Sequence, residues 1–143
     1  MAAGDVVQTA DYQEISTAQT DSGSGVTKGQ VVYWTGGNVA TATASTDGPY
    51  GVCLNTSAIS ATDVRVMTRG TVYLTASGSI TKGTYVSAAA AGAVAAYSKE
   101  TISTTPTQAD IQNVQNKILR VVGIALDTTT DGLTLRVKLG GLY

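Results

Sequence analysis

Two lysines occupy the same setting. Lys28 lies in residues 26–34, VTKGQVVYW, and Lys82 in residues 80–86, ITKGTYV. A lysine beside a glycine-bearing turn could hold a phosphate or, if desolvated, form a Schiff base. The recurrence argues for a turn instead, because an enzyme seldom needs one catalytic lysine twice, and the following Gly29 and Gly83 supply the backbone freedom a tight turn uses. Asp127 and Asp131 are the nearest approach to the carboxylate pair of a glycosidase. They flank a hairpin, and Asn55 stands where Asp127 stands in the second copy, which points to Asx-type turn bonding in both. The chain has one cysteine and no histidine, so a Ser-His-Asp or Cys-His set, an ordinary zinc site and an intrachain disulfide are excluded. Cys53 reads as a small core residue at the position of Ala125. There is no GxxxxGK[ST] loop, no GxGxxG opening a helix and no CxxC. The chain is expected to be no enzyme, with no catalytic residue and no bound metal or cofactor.

Trp34 and the seven tyrosines could stack on sugars or bases. Their places within strands favour core and interface roles, and the basic interleaving of a nucleic-acid platform is missing. Nine basic and ten acidic side chains leave a formal charge of −1, which gives no footprint for nucleic acid or an anionic membrane surface. A charged fraction of 13% is low for a freely soluble chain and suits one packed in an assembly. The first residues do not run from basic to apolar, so no secretory leader is expected. The longest small-apolar run, residues 88–96, is far short of the ~20 residues that span a bilayer.

Stepping outward from the lysines, each TKG copy runs on to a second glycine and a valine, Gly37-Asn38-Val39 and Gly92-Ala93-Val94. The segments GVCLNT at 51–56 and GIALDT at 123–128 match in turn, and an alternating strand follows each, at 64–70 and 133–139. One β unit is thus written twice, roughly over 26–70 and 80–139. Gly29, Gly83, Gly51 and Gly123 are expected as structural turn glycines. Short strands with turns every eight to twelve residues indicate a mainly β fold, a small barrel or sandwich. Residues 88–96 are read as a tight β hairpin despite their alanines. The second copy carries an insertion at 98–120 with one helix, about 106–119, capped either by Thr105 with Pro106 at N1 or by Thr107 with Asp110. Its apolar stripe, Ile111, Val114 and Ile118, is expected to lie on the barrel.

Residues 1–25 are polar and glycine-rich, ending in DSGSG, and are expected as a flexible arm ahead of a single domain at 26–143. The arm is either a frayed terminus or a segment that orders on a partner by strand addition. In the second case Val6, Val7, Tyr12 and Ile15 are the side chains to fill the partner's pockets.

The order TKGxxV, GxV, GVCLN, a strand ending in RG, TVYL, a second TKGxxV, VVGIALD and a closing LRVKL resembles the tailed-phage capsid decoration or cement proteins over residues 26–143. The lambda-type head-decoration proteins are the best-known functional relatives. The resemblance implies a β-rich subunit on the outer surface of an expanded head, often a homotrimer. It also implies an N-terminal arm ordering against the major capsid protein, no catalytic residues, and residence in the virion after assembly in the host cytoplasm. The helical insertion departs from that pattern. A surface-exposed fibre or adhesion module, binding host glycan or another virion protein, is the competing expectation.

Overall fold

The computed structural model describes residues 1–7, 13–21, 25–45, 47–57, 63–99 and 101–140. Among these residues, nine strands and one α-helix follow in chain order: β1 (Glu14–Gln19), β2 (Val31–Trp34), β3 (Val39–Thr41), β4 (Pro49–Cys53), β5 (Asp63–Thr75), β6 (Tyr85–Ala88), β7 (Val94–Ala96), α1 (Gln108–Leu119), β8 (Val121–Ala125) and β9 (Thr134–Leu139). The strands form one curled antiparallel sheet in the order β3-β2-β4-β5-β9-β8-β6-β7, with β1 on β5. The fold is mainly β and barrel-like, as the spacing of strands and turns leads one to expect.

The repeat is visible bond by bond. Val32 faces Gly51 across β2 and β4, and Val86 faces Gly123 across β6 and β8, with a register shift immediately after each. Gly29 N–H donates to Cys53 O and Gly83 N–H to Ala125 O, both at 2.8 Å. In each copy the Thr-Lys-Gly-X turn closes with X N–H on the Thr carbonyl, at 3.1 Å. Gly29 and Gly83 sit at φ +88° and +86°, the third-position geometry of a type II turn that glycine tolerates best. The lysine N–H of each turn donates to a threonine hydroxyl, Lys28 to Thr56 at 3.1 Å and Lys82 to Thr128 at 3.0 Å. Asn55 Oδ1 accepts from Arg65 N–H at 2.7 Å, and Asp127 Oδ2 accepts from Arg136 N–H at 2.9 Å. The Asx positions therefore hold the following strand, and the Thr-Lys-Gly motif is structural.

The unit boundaries lie elsewhere than expected. Thr20 makes a parallel bridge to Val39, and Ala76 makes the same bridge to Val94. Thr17 pairs with Arg65 as Tyr73 pairs with Arg136. The repeats are thus 14–69 and 70–139. β5 serves both: its first half ends unit one, and its second half begins unit two as the counterpart of β1. Each unit curls until its first strand meets its third.

Residues 1–25 are expected as an arm apart from the barrel; the described ones among them, 1–7, 13–21 and 25, are largely part of it. β1 pairs with β5 along its length, Ala18 and Thr20 are buried, and Val6 bridges to Val72. Gly4 N–H donates to Tyr73 O at 2.7 Å and Val7 N–H to Thr71 O at 2.9 Å. The physical reason is an open strand edge: β5 is flanked on one side by β4 and β9, and its other side needs partners for its backbone groups.

Each unit fills its own interior. Ala18, Val26, Val32, Val39, Cys53, Val64 and Val66 form one cluster; their counterparts Leu74, Ile80, Val86, Val94, Ala125, Leu135 and Val137 belong to the other. The second cluster also takes in Val31, Ala42, Val52, Leu54 and Met67 from the outer wall of unit one. That wall is where the two units pack together.

Candidate functional site

Gly51 and Gly123, expected in turns, lie buried inside strands β4 and β8. A Cβ on Gly51 would run into the Met67 carbonyl oxygen, and one on Gly123 into that of Lys138. They are places where a neighbouring strand comes too close for a side chain, and the repeated GVCL/GIAL pattern records that approach. Their role is internal.

The four side chains proposed for partner binding are not alike. Val6 and Val7 are half-buried against the chain's own β5, and Val6 packs on the core. Ile15, on β1, is 45% exposed. Tyr12 lies outside the described residues. Of the set, Ile15 is the one that the structure presents outward.

Two ion pairs tie described side chains together. Lys28 Nζ meets Asp5 Oδ1 at 2.7 Å, and Asp5 is held below the usual carboxylate range by that bond and by the Ala2 N–H. Arg136 grips Asp127 through Nη2 at 2.6 Å and Nε at 3.0 Å, which brings the Asp127 pKa down to about 2. Both carboxylates accept backbone N–H bonds as well, so they brace strands and turns. Burial pushes the Cys53 thiol up, and its Sγ lies 2.8 Å from Asn55 O. No group of three His, Cys, Asp or Glu side chains is placed to hold a metal among the described residues. Among them, too, no helix is long and apolar enough to cross a membrane.

The surface with most to offer a partner is apolar, and it lies at the helical insertion. Thr107 caps α1: its hydroxyl accepts from Asp110 N–H at 3.3 Å, and Asp110 Oδ2 accepts from Thr107 N–H at 2.9 Å. Of the two caps the sequence allows, the capping box is the one used. The stripe is not laid on the barrel as expected. No residue of the helix is buried, and Ile111 and Ile118 are 54% and 47% exposed. A stripe of three residues on a three-turn helix is too narrow to seat it firmly. Between helix and sheet runs a groove of about 460 Å³, walled by Tyr85, Tyr97 and Val121 of the sheet and its edge and by Ile102, Val114 and Ile118 of the insertion, with Lys99 also lining it. No sequence motif marks this groove; the signal available was the insertion itself, apolar at helical spacing in one repeat and missing in the other. Trp34 is also outward, 46% exposed, with its ring 4.7 Å from that of Tyr50.

No protein-family description matches this sequence, and no curated protein does. Among solved structures, the chain is similar to the N base of head fiber gp8.5 of bacteriophage phi29. The TM-score is 0.60 at 12% identity, over 89% of this chain and 95% of that one. The two share a fold along nearly their whole lengths.

Proposed function

We propose that this chain is a structural protein of a bacteriophage head, bound to the outside of the shell through the major capsid protein and stabilising it as a decoration or cement subunit. The observation that carries the reading is the fold shared with the base of a phage head fiber over 89% of the chain. The chain's own surface agrees with it. Asp5, Lys28, Asp127 and Arg136 are spent on internal bracing, while Ile15, Trp34, Ile111 and Ile118 face outward. Such a surface suits contact with protein more than with nucleic acid, membrane or a polar substrate. The proposed mechanism is mechanical. A subunit bridging neighbouring capsid proteins opposes their separation under the pressure of packaged DNA. A homo-oligomer, a trimer on this reading, engages several at once and gains avidity of roughly 10²–10⁴-fold over a single contact. Residence is in the virion, after assembly in the host cytoplasm.

The fiber-base resemblance favours a second reading of the same attachment, in which the subunit roots a fibre or adhesion module and adds little to shell strength. Both readings are tested by mixing purified protein with undecorated expanded capsids. Saturable, stoichiometric co-sedimentation is expected. Under the cement reading the decorated shells also withstand heat or chelation that opens bare ones; under the fibre reading they do not. Absence of co-sedimentation would remove both.

A further inference from the structure

The repeat makes a further comparison possible, because one unit shows what covers a wall that the other leaves open. In unit one the outer wall at Val31, Ala42 and Val52 is fully buried. The hairpin tip of unit two, residues 88–93, lies on it. Gly92 N–H donates to Ala42 O at 2.9 Å, Gln30 Nε2 donates to Ala91 O at 3.1 Å, and Ala88 is 1% exposed.

The same wall of unit two is built on the same backbone. Tyr97 N–H donates to Tyr85 O at 2.7 Å, as Ala42 N–H donates to Val31 O at 2.8 Å. Tyr85 therefore stands for Val31 and Tyr97 for Ala42, and these two tyrosines wall the groove beside α1. The matching tip of unit one, residues 34–38, is exposed at Trp34, Gly36 and Gly37 and half-buried at Thr35 and Asn38. Trp34 pairs with Val39 where Ala88 pairs with Val94, so the outward tryptophan occupies the register position of the buried alanine. The chain thus carries one tip seated on one wall, and one tip and one wall of the same kind both open.

We propose that the groove between α1 and the wall of β6, β7 and β8 receives the residue 34–38 tip of a second copy of this chain, with Trp34 entering it. Where the alanine tip meets a flat wall, the tryptophan tip meets a groove of about 460 Å³, so the larger side chain has the larger receptacle. An aromatic anchor of 150–250 Å² ringed by Ile102, Val114 and Ile118 has the character of an interface hot spot. The contact is heterologous, tip of one copy to groove of the next, and propagates into a closed ring or an open file. The inference rests on the homo-oligomer part of the proposed function and not on capsid binding.

The test uses the full chain without capsids. Trp34 is the sole tryptophan, so its emission reports directly on this contact. The wild type is expected to self-associate in sedimentation equilibrium, with a blue shift of emission that follows concentration. Trp34→Ala and Ile118→Asp, both at exposed positions, should each weaken association roughly 10-fold or more while leaving far-UV circular dichroism and thermal unfolding near those of the wild type. Mixed together they should form a 1:1 pair, because Ile118→Asp keeps its tip and Trp34→Ala keeps its groove. Wild type that stays monomeric would overturn both this inference and the homo-oligomer. Oligomers indifferent to both substitutions would overturn this inference alone, as would two variants that fail to pair on mixing. Capsid co-sedimentation by the wild type would be untouched in each case.

Discussion

Gly29 and Gly83 offer a controlled comparison, since they share one backbone geometry and differ in what lies above them. Their φ values are +88° and +86°, so an alanine at either meets the same conformational strain, about 1 kcal/mol. At Gly83 a Cβ has nothing within 4 Å; at Gly29 it falls 2.5 Å from the Ala3 carbonyl carbon and 2.6 Å from Ala3 Cβ. Residues 1–5 must then shift. They are held by Gly4 N–H on Tyr73 O at 2.7 Å, Tyr73 N–H on Asp5 O at 3.0 Å and the Asp5–Lys28 pair at 2.7 Å. Losing two backbone hydrogen bonds costs about 0.5–1.5 kcal/mol each, and accommodating the clash costs about 1–3 kcal/mol. The cheaper route is taken, so Gly29→Ala should destabilise by about 2–4 kcal/mol in total and Gly83→Ala by about 1 kcal/mol. Denaturant unfolding of both variants measures this. In a chain lacking residues 2–5 the excess at position 29 should vanish, leaving a coupling of about 1–3 kcal/mol in the double-mutant cycle. Equal costs for the two alanines in the full chain would show that the N-terminus is not seated on the first turn.

Gly123→Ala should cost at least about 2–3 kcal/mol by overpacking against the Lys138 carbonyl, read as a lowered denaturation midpoint, and Gly51→Ala should behave alike. Thr107→Ala should weaken the capping box by about 1 kcal/mol; because no residue of α1 is buried, amide exchange over residues 108–119 should speed up while the global midpoint hardly moves. Asp127 has a folded pKa of about 2 against an ordinary value of 3.8, so its contribution is complete above pH 4 and lost as pH falls from about 4 to 2. Asp127→Asn should flatten that part of the stability–pH curve, by no more than about 1 kcal/mol for so exposed a pair; an unchanged acid limb would refute the assignment.

The repeat was legible where backbone geometry dictates residue type. A type II turn fixes the glycine of TKG, strand proximity fixes Gly51 and Gly123, and the side chain that ties down the next strand must be Asn55 or Asp127. The start of each unit was not legible. β1 and the second half of β5 play one role, yet ISTAQT at 15–20 and TVYLTA at 71–76 share almost nothing, because only their inward faces are constrained: Ala18 answers Leu74 and Thr20 answers Ala76. Gly70, expected as the end of a strand at 64–70, lies at φ +120° inside one strand of 13 residues, at the seam between the repeats. The helix was legible, but the sequence allows two caps, Thr105 with Pro106 or Thr107 with Asp110, and the hydrogen bonds of Thr107 and Asp110 decide between them. The helix's failure to bury Ile111 and Ile118 follows from a stripe too narrow to seat it; the period shows which face is apolar, not whether that face is covered.

The shared strand also explains why the two repeats diverge on their outer faces. With β5 common to both, the units cannot turn independently, and the wall of unit one is permanently covered by unit two. Its residues are accordingly apolar and close-packed: Val31, Val52, Leu54 and Met67. The counterparts on unit two, Tyr85, Ile124, Leu126 and Lys138, are partly or fully exposed and carry amphipathic or charged side chains among the apolar ones. A wall that only ever met solvent would have no use for Tyr85 and Tyr97 facing a helix with Val114 and Ile118. A wall covered within its own chain would not keep Lys138. Their mixture is that of a surface tolerated in water and closed by assembly.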